Sequence, residues 1–135
     1  MISLEMAQKL KDAGLAWEPK EGDFYYYEYN RIEVKVIHGI PSHEPELYMG
    51  FGDHAFFAPS LDQLLAEVGK RGWKWVIYST TPEITKSTEI YELLEDEKLY
   101  HCSVMRDKQE YINGRHTPDD AAAEGLLWII SQKEV

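Results

Sequence analysis

The sequence predicts a single α+β domain over residues 1–135, with three helices and a largely antiparallel sheet. Three segments have the apolar spacing of amphipathic helices, and the aromatic or β-branched segments between them are typical of strands. The predicted order is α-β-β-β-α-β-β-α. Because each helix must bury its apolar face, a layered α+β fold is the most economical arrangement.

The first helix is predicted over residues 3–14, with Ser3 as its N-cap and Gly14 as its stop. Residues 24–29 are mostly aromatic, and residues 32–36 alternate between apolar and charged side chains. Both patterns are typical of strands, and the short gap between them predicts an antiparallel hairpin. Shorter strands are predicted next, at residues 47–51 and 55–57.

The central helix has both of its ends marked in the sequence. Ser60 is the predicted N-cap, and Gln63 stands three residues later, where its side chain completes a capping box. An apolar stripe follows one face of the helix: Leu61, Leu64, Leu65 and Val68. Gly72 ends the helix, and the alternating residues 73–78 predict the next strand.

The C-terminal half is predicted to end in a third helix. Residues 80–98 fit a helical turn and a strand equally well, whereas residues 99–105 predict a strand. The Asn-Gly pair at residues 113–114 predicts a turn. The last helix is predicted to begin at Thr117, with Pro118 at its first position. Its core-facing stripe is Ala122, Leu126, Ile129 and Ile130, with Ala121 and Gly125 allowing a close approach to a neighbour.

The chain is acidic, with 24 Asp and Glu residues against 14 Lys and Arg and a net charge of -10. This balance argues against duplex nucleic acid and anionic membranes as partners, because both are bound through Lys and Arg. A basic protein partner is compatible with it. The residues predicted to contact such a partner are Glu95, Asp96 and Glu97, for which a solvated turn is the alternative interpretation.

Cys102 is the one cysteine of the chain, so no disulfide can form within it. A lone thiol and an N-terminus without a signal-peptide pattern predict a cytoplasmic protein. We interpret Cys102 as a small buried residue, because no nucleophile signature surrounds it. The sequence also lacks a Walker loop and a dinucleotide fingerprint, so no cofactor is predicted.

Histidines near the loop at residues 38–54 suggest a metal-assisted hydrolase. The ligands in this hypothesis are His38, His43, His54 and Asp53. No pair of them has the helical spacing of a zincin, and no Cys/His cluster accompanies them. Solvated loop residues are the alternative interpretation.

Tyr25, Tyr27 and Tyr29 lie on one face of the strand predicted at residues 24–29. A stacking platform for single-stranded nucleic acid would need a basic groove, and the neighbouring charges here are acidic. The tyrosines therefore predict either a cover for a half-buried strand or a protein-binding edge, including a homodimer seam. A further hypothesis is a small-ligand pocket formed by Trp73, Trp75 and Tyr78.

Several segments together resemble the phage ABA-sandwich domain family, small proteins of bacteriophages and prophages of Gram-positive bacteria. The resemblance covers residues 6–14, 58–65, 71–73 and 117–130. It implies an α-β-α sandwich, and it implies neither catalytic residues nor a cofactor. The sequence is thus interpreted as an acidic phage- or prophage-type accessory protein that acts through protein contacts and not as an enzyme.

Overall fold

The computed structural model describes residues 1–40, 52–80 and 99–132. Within these residues the chain has three α-helices and two three-stranded antiparallel sheets. The predicted α+β class, the three helices and the antiparallel pairing are confirmed. The chain divides into two compact units, Met1–Gln63 and Leu64–Val135. No described helix has the length and apolar character needed to cross a membrane.

The first unit contains one helix and the first sheet. Its elements are α1 (Leu4–Asp12), β1 (Phe24–Glu28), β2 (Ile32–Val36) and β3 (Ala55–Ala58). The sheet order is β2-β1-β3, and β1 pairs antiparallel with both neighbours, so the predicted hairpin is confirmed. Ser3 caps α1 by accepting a bond from the Met6 amide at 3.2 Å, and Gly14 has the positive φ of a helix stop. The strand predicted at residues 47–51 lies outside the described residues.

The core of the first unit is built around Tyr25, which packs with Ile37 and Ala55 and has no exposed surface. Trp17 packs against this core and stacks on Phe57, with 4.8 Å between ring centroids. The indole N–H of Trp17 donates to the carboxylate of the buried Asp23 at 3.0 Å. The loop after α1 is therefore fixed to the sheet by one ring and one hydrogen bond.

Helix α2 (Leu61–Lys70) has the capping box that the sequence predicts. The Ser60 amide donates to Gln63 Oε1 at 2.8 Å, and the Gln63 amide donates to Ser60 Oγ at 3.2 Å. These reciprocal bonds satisfy two amides that the helix leaves unpaired. Gly72 follows the helix with a φ of 81°, which a glycine adopts without steric cost.

The second unit contains the second sheet and the last helix. Its elements after α2 are β4 (Lys74–Thr80), β5 (Leu99–Arg106), β6 (Gln109–Arg115) and α3 (Pro118–Ser131). The sheet order is β4-β5-β6, and α3 packs against β5 and β6. A Cβ on Gly125 would lie 3.1 Å from Val104 Cγ1 and 3.3 Å from Cys102 Sγ, so the predicted close approach of α3 is confirmed.

The turn predicted at residues 113–114 is wrong, because both residues lie inside β6. The chain reverses instead at residues 107–108, between the paired Arg106 and Gln109. Asp107 adopts a φ of 54°, which suits a two-residue hairpin loop. Tertiary contacts account for the Asn-Gly pair: Asn113 Nδ2 donates to the Ala121 carbonyl at 3.0 Å, and a Cβ on Gly114 would lie 3.1 Å from the His101 ring.

Candidate functional site

The three tyrosines predicted to bind a partner differ widely in exposure. Tyr25 is 0% exposed, Tyr27 is half-buried, and Tyr29 is 57% exposed. The prediction that all three form one contact surface is therefore wrong for Tyr25, whose ring is enclosed by the core of the first unit. Tyr27 and Tyr29 remain neighbours, with ring centroids 6.5 Å apart. The acidic residues of the same prediction, Glu95, Asp96 and Glu97, lie outside the described residues.

The residues of the metal hypothesis are only partly described. His38 and Asp53 are exposed, and His54 lies edge-on to Tyr29 with 5.2 Å between ring centroids. His43 lies outside the described residues. Among residues 1–40, 52–80 and 99–132, no group of three or more His, Cys, Asp or Glu side chains could hold a metal ion.

Cys102 lies at the centre of the second sheet and is fully buried, as the sequence predicts. Burial raises the pKa of its thiol to about 11. Because the thiolate is the reactive form of cysteine, this environment keeps the side chain inert at neutral pH.

The side of the second sheet that faces away from α3 is the first candidate surface. On the helix side, Cys102 and Val104 lie against Gly125, so their neighbours along β5 point the other way. The register then places these described residues on the outer face: Lys74, Val76, Tyr78, Leu99, His101, Ser103, Met105, Glu110, Ile112 and Gly114.

Large apolar side chains are exposed on this outer face. Val76 is 48% exposed, Tyr78 is 41% exposed and Ile112 is 49% exposed. Val76 and Ile112 lie in one row of the sheet, on either side of Ser103. Tyr78 lies in the next row and stacks on His101, with 5.0 Å between ring centroids. Adjoining exposed apolar side chains of this kind are typical of interaction surfaces.

The pocket predicted from Trp73, Trp75 and Tyr78 is not formed by the three rings together. Trp75 and Tyr78 are three residues apart in β4, so their side chains point to opposite faces, and both are exposed. Trp73 precedes the strand and is buried. It lines a cavity that the other two rings do not share.

That cavity is the second candidate site, with a volume of about 330 Å³. The described residues that line it are Arg71, Trp73, Arg106, Ile129, Ile130 and Gln132. Arg106 lies over the Trp73 ring, with its guanidinium carbon 4.7 Å from the ring centroid. The Trp128 ring meets Trp73 edge-on at 5.3 Å. We refer to this site as the arginine–tryptophan cavity.

Glu67 holds Arg71 in place directly after the C-terminal end of α2. The Nη1 atom of Arg71 donates to Glu67 Oε2 at 2.7 Å and to the Glu67 carbonyl at 3.0 Å. Burial alone would raise the pKa of the Glu67 carboxyl, but hydrogen bonds and charge from Arg71 and Lys70 lower it overall. The glutamate therefore stays ionised and fixes the arginine.

Sequence reasoning identified Trp73 but missed the rest of the cavity. Arg71 stands near the end of a predicted helix, where a basic residue is common, and Ile129 and Ile130 belong to the predicted core stripe of the last helix. Arg106 ends a strand, where one charged residue is unremarkable. The chain has only 14 Lys and Arg residues, so two arginines beside one tryptophan form a notable cluster. The sequence does not show this cluster, because folding brings its residues together.

Comparison with protein-family models, with curated proteins and with solved structures finds no match to this chain.

Proposed function

We propose that this chain is a non-enzymatic accessory protein that acts through protein contacts, and that the outer face of the second sheet is its contact surface. The observation that carries the proposal is the exposure of Val76, Tyr78 and Ile112 in adjoining rows of that face. Burying such side chains against a partner removes apolar surface from water, which is the main driving force of association.

The proposal includes a phage or prophage setting and action in the cytoplasm. The first rests on the resemblance of residues 58–65 and 117–130 to the phage ABA-sandwich domain family. The second rests on Cys102, a lone and buried thiol in a chain that uses no disulfides.

The partner we propose for the outer face is a second copy of the chain. Lys74 and Glu110 lie in one row of this face, on either side of Met105. A two-fold axis parallel to β5 reverses the order of the strands in the second copy. Lys74 of each copy then faces Glu110 of the other, and Val76 faces Ile112. On each side of the two-fold axis, opposite charges therefore face each other and apolar side chains face each other.

Analytical ultracentrifugation over a concentration series tests this proposal. We expect the average mass to rise from 15.7 kDa towards twice that value. Val76→Lys should weaken association about tenfold or more, because it buries an unpaired charge. Val34→Lys is the matched control: Val34 is a strand residue with 52% exposure in the first sheet. Equal effects of the two substitutions, or a constant mass of one chain, would contradict the proposal.

Salt distinguishes a second copy from a basic partner. Two copies each carry a net charge of -10 and repel at long range, so added salt should strengthen the dimer. A basic protein bound through Glu95, Asp96 and Glu97 would instead be released by salt. If salt releases a bound basic protein and the chain does not self-associate, the partner is a basic protein and not a second copy.

A further inference from the structure

We propose that Asn113 is a modification site, at which the side-chain amide is hydrolysed to a carboxylate. The reaction occurs when β6 separates from β5 and α3, and the folded second unit prevents it. Asn30 and Asn113 are the two asparagines of the chain, and only Asn113 precedes a glycine. Asn113 lies on the helix side of the second sheet, opposite Cys102, so the proposal does not depend on self-association through the outer face.

The Asn-Gly pair carries its own chemistry and needs only water. The backbone nitrogen of Gly114 bonds to Cγ of Asn113 and loses its proton, while the bond from Cγ to Nδ2 breaks and ammonia leaves. The product is a five-membered succinimide, which water opens to aspartate or isoaspartate. One water is consumed and one ammonia is released. Glycine favours the attack, because no side chain shields its nitrogen and its backbone is the least restricted of all residues.

Strand β6 keeps the two reacting atoms apart. Asn113 and Gly114 both lie inside the β5–β6 ladder, where they pair with Cys102 and His101. The extended backbone of a strand directs the asparagine side chain away from the following peptide group, whereas ring closure must bring Cγ and the glycine nitrogen into bonding contact. A Cβ on Gly114 would lie 3.1 Å from the His101 ring, so that ring packs closely over the glycine. The chain must therefore leave the ladder before the succinimide can form.

The surroundings of the Asn113 amide also oppose the reaction. Its Nδ2 atom donates to the Ala121 carbonyl at 3.0 Å and lies 3.5 Å from the Cys102 carbonyl oxygen, so the leaving group is held in place. Its Oδ1 atom is buried and has no hydrogen-bond donor among the described residues. Attack on Cγ places negative charge on this oxygen, and enzymes that stabilise such charge do so with donors that Oδ1 lacks here. Because a buried charge without a donor is costly, the folded environment raises the barrier.

Refolding does not reverse the modification. Aspartate sets a carboxylate against the Ala121 carbonyl, to which Nδ2 of Asn113 donates in the unmodified chain. Isoaspartate lengthens the backbone by one carbon and so breaks the register of β6 against β5. Both products weaken the packing of α3 on the strand that carries them. A molecule whose second unit has opened and reacted is therefore less stable for the rest of its life.

Peptide mass spectrometry during incubation at mildly alkaline pH tests the proposal. Trypsin cuts after Lys108 and Arg115, so it releases residues 109–115 as one peptide with Asn113 as its only asparagine. The same peptide, incubated free in solution, sets the unprotected rate. We expect deamidation to be at least about tenfold slower in the folded protein, because only the opened fraction of molecules reacts. Equal rates in protein and peptide, or a free peptide that stays unmodified, would overturn the proposal.

Two alanine variants test whether the packing of α3 controls the rate. A Cβ on Gly125 would lie 3.1 Å from Val104 Cγ1 and 3.9 Å from Asn113 Nδ2, so Gly125→Ala loosens the helix beside the site. Gly69→Ala is the matched control, because a Cβ there meets nothing within 4 Å. We expect deamidation about fivefold faster than wild type in Gly125→Ala and no faster in Gly69→Ala. Equal rates in the two variants would contradict the role of α3.

The stability of the product tests the last step and needs no variant. Wild-type protein that has been deamidated at Asn113 is separated by ion exchange, since it carries one more negative charge. We expect its unfolding midpoint in urea to lie below that of the unmodified protein. An unchanged midpoint would contradict the lasting loss of stability. This measurement and the comparison with the free peptide stay valid even if Gly125→Ala does not fold.

Discussion

Replacing Gly125 by alanine tests whether α3 is pressed against the second sheet as closely as the structure indicates. The added Cβ would lie 3.1 Å from Val104 Cγ1 and 3.3 Å from Cys102 Sγ. Ordinary contacts between such atoms are about 3.5–4.0 Å, so the helix or the strand must move by a few tenths of an ångström. Val104 and Cys102 are both fully buried in the central strand, which leaves them little room to move.

Two opposing free energies determine the size of the effect. Overpacking a close-packed core costs about 1–3 kcal/mol, whereas alanine in a helix is favoured over glycine by about 1 kcal/mol. We expect Gly125→Ala to lower the free energy of unfolding by about 1 kcal/mol in net terms. Gly69→Ala is the control in α2, because a Cβ there meets nothing within 4 Å. It should raise the same free energy by about 0.5–1 kcal/mol.

Urea denaturation of the two variants measures the difference, which should be about 2 kcal/mol. A double-mutant cycle with Val104→Ala assigns its cause. Removing Cγ1 of Val104 relieves the contact, so the two substitutions should be coupled by about 1 kcal/mol. If Gly125→Ala stabilises the protein as much as Gly69→Ala does, α3 does not approach β5 this closely and the reasoning is refuted.

Three further predictions concern the second unit. Because burial raises the pKa of Cys102 from 9.0 to about 11, the folded state retains the thiol proton more tightly. The free energy of unfolding should therefore fall between pH 9.0 and about 11 in urea titrations, and a Cys102→Ala variant should show a smaller fall. Since the pKa of Glu67 is lowered in the folded state, Glu67→Gln should lower the free energy of unfolding by about 0.5–1 kcal/mol at pH 7. This difference between variant and wild type should vanish as the pH falls through the pKa of Glu67 in the folded state. Asn113→Asp should lower the free energy of unfolding by about 1–3 kcal/mol, because it sets a carboxylate in a half-buried position against the Ala121 carbonyl; a lower Tm of Asn113→Asp than of wild type in matched thermal melts would show this.

Local signals made the helix ends predictable from the sequence. Ser60 and Gln63 cap α2 through bonds between residues three apart, and Thr117 caps α3 by accepting from the Asp120 amide at 3.1 Å. Such bonds depend on neighbours in the chain, so a single sequence specifies them. Gly72 ends α2 through its own positive φ, which is also a local signal.

Tertiary contacts explain where sequence reasoning failed. The Asn-Gly pair at residues 113–114 is a strong local hairpin signal, yet the bond from Asn113 to α3 keeps it inside a strand. Alternation over residues 24–29 predicts Tyr25 and Tyr29 on one face, but it could not show that Trp17 and Ile37 pack with Tyr25 while Tyr29 stays exposed. Both sets of contacts join segments that are separated along the sequence.

The candidate sites were still less accessible to sequence reasoning. The arginine–tryptophan cavity combines the end of α2, the end of β5 and the last turn of α3. The outer face depends on the register of β4, β5 and β6, which sets Lys74 and Glu110 in one row. A shift of one residue in either pairing would move these side chains to the other face of the sheet.

The most direct test of the proposed contact surface mixes two variants that should each fail to associate. In Lys74→Glu, the two-fold arrangement sets two glutamates against each other at both ends, and in Glu110→Lys it sets two lysines against each other. In a mixed pair, each lysine faces a glutamate again. Sedimentation should therefore show mainly single chains for each variant alone and dimers for an equal mixture. A mixture that sediments like its separate components would contradict the two-fold pairing of the outer faces.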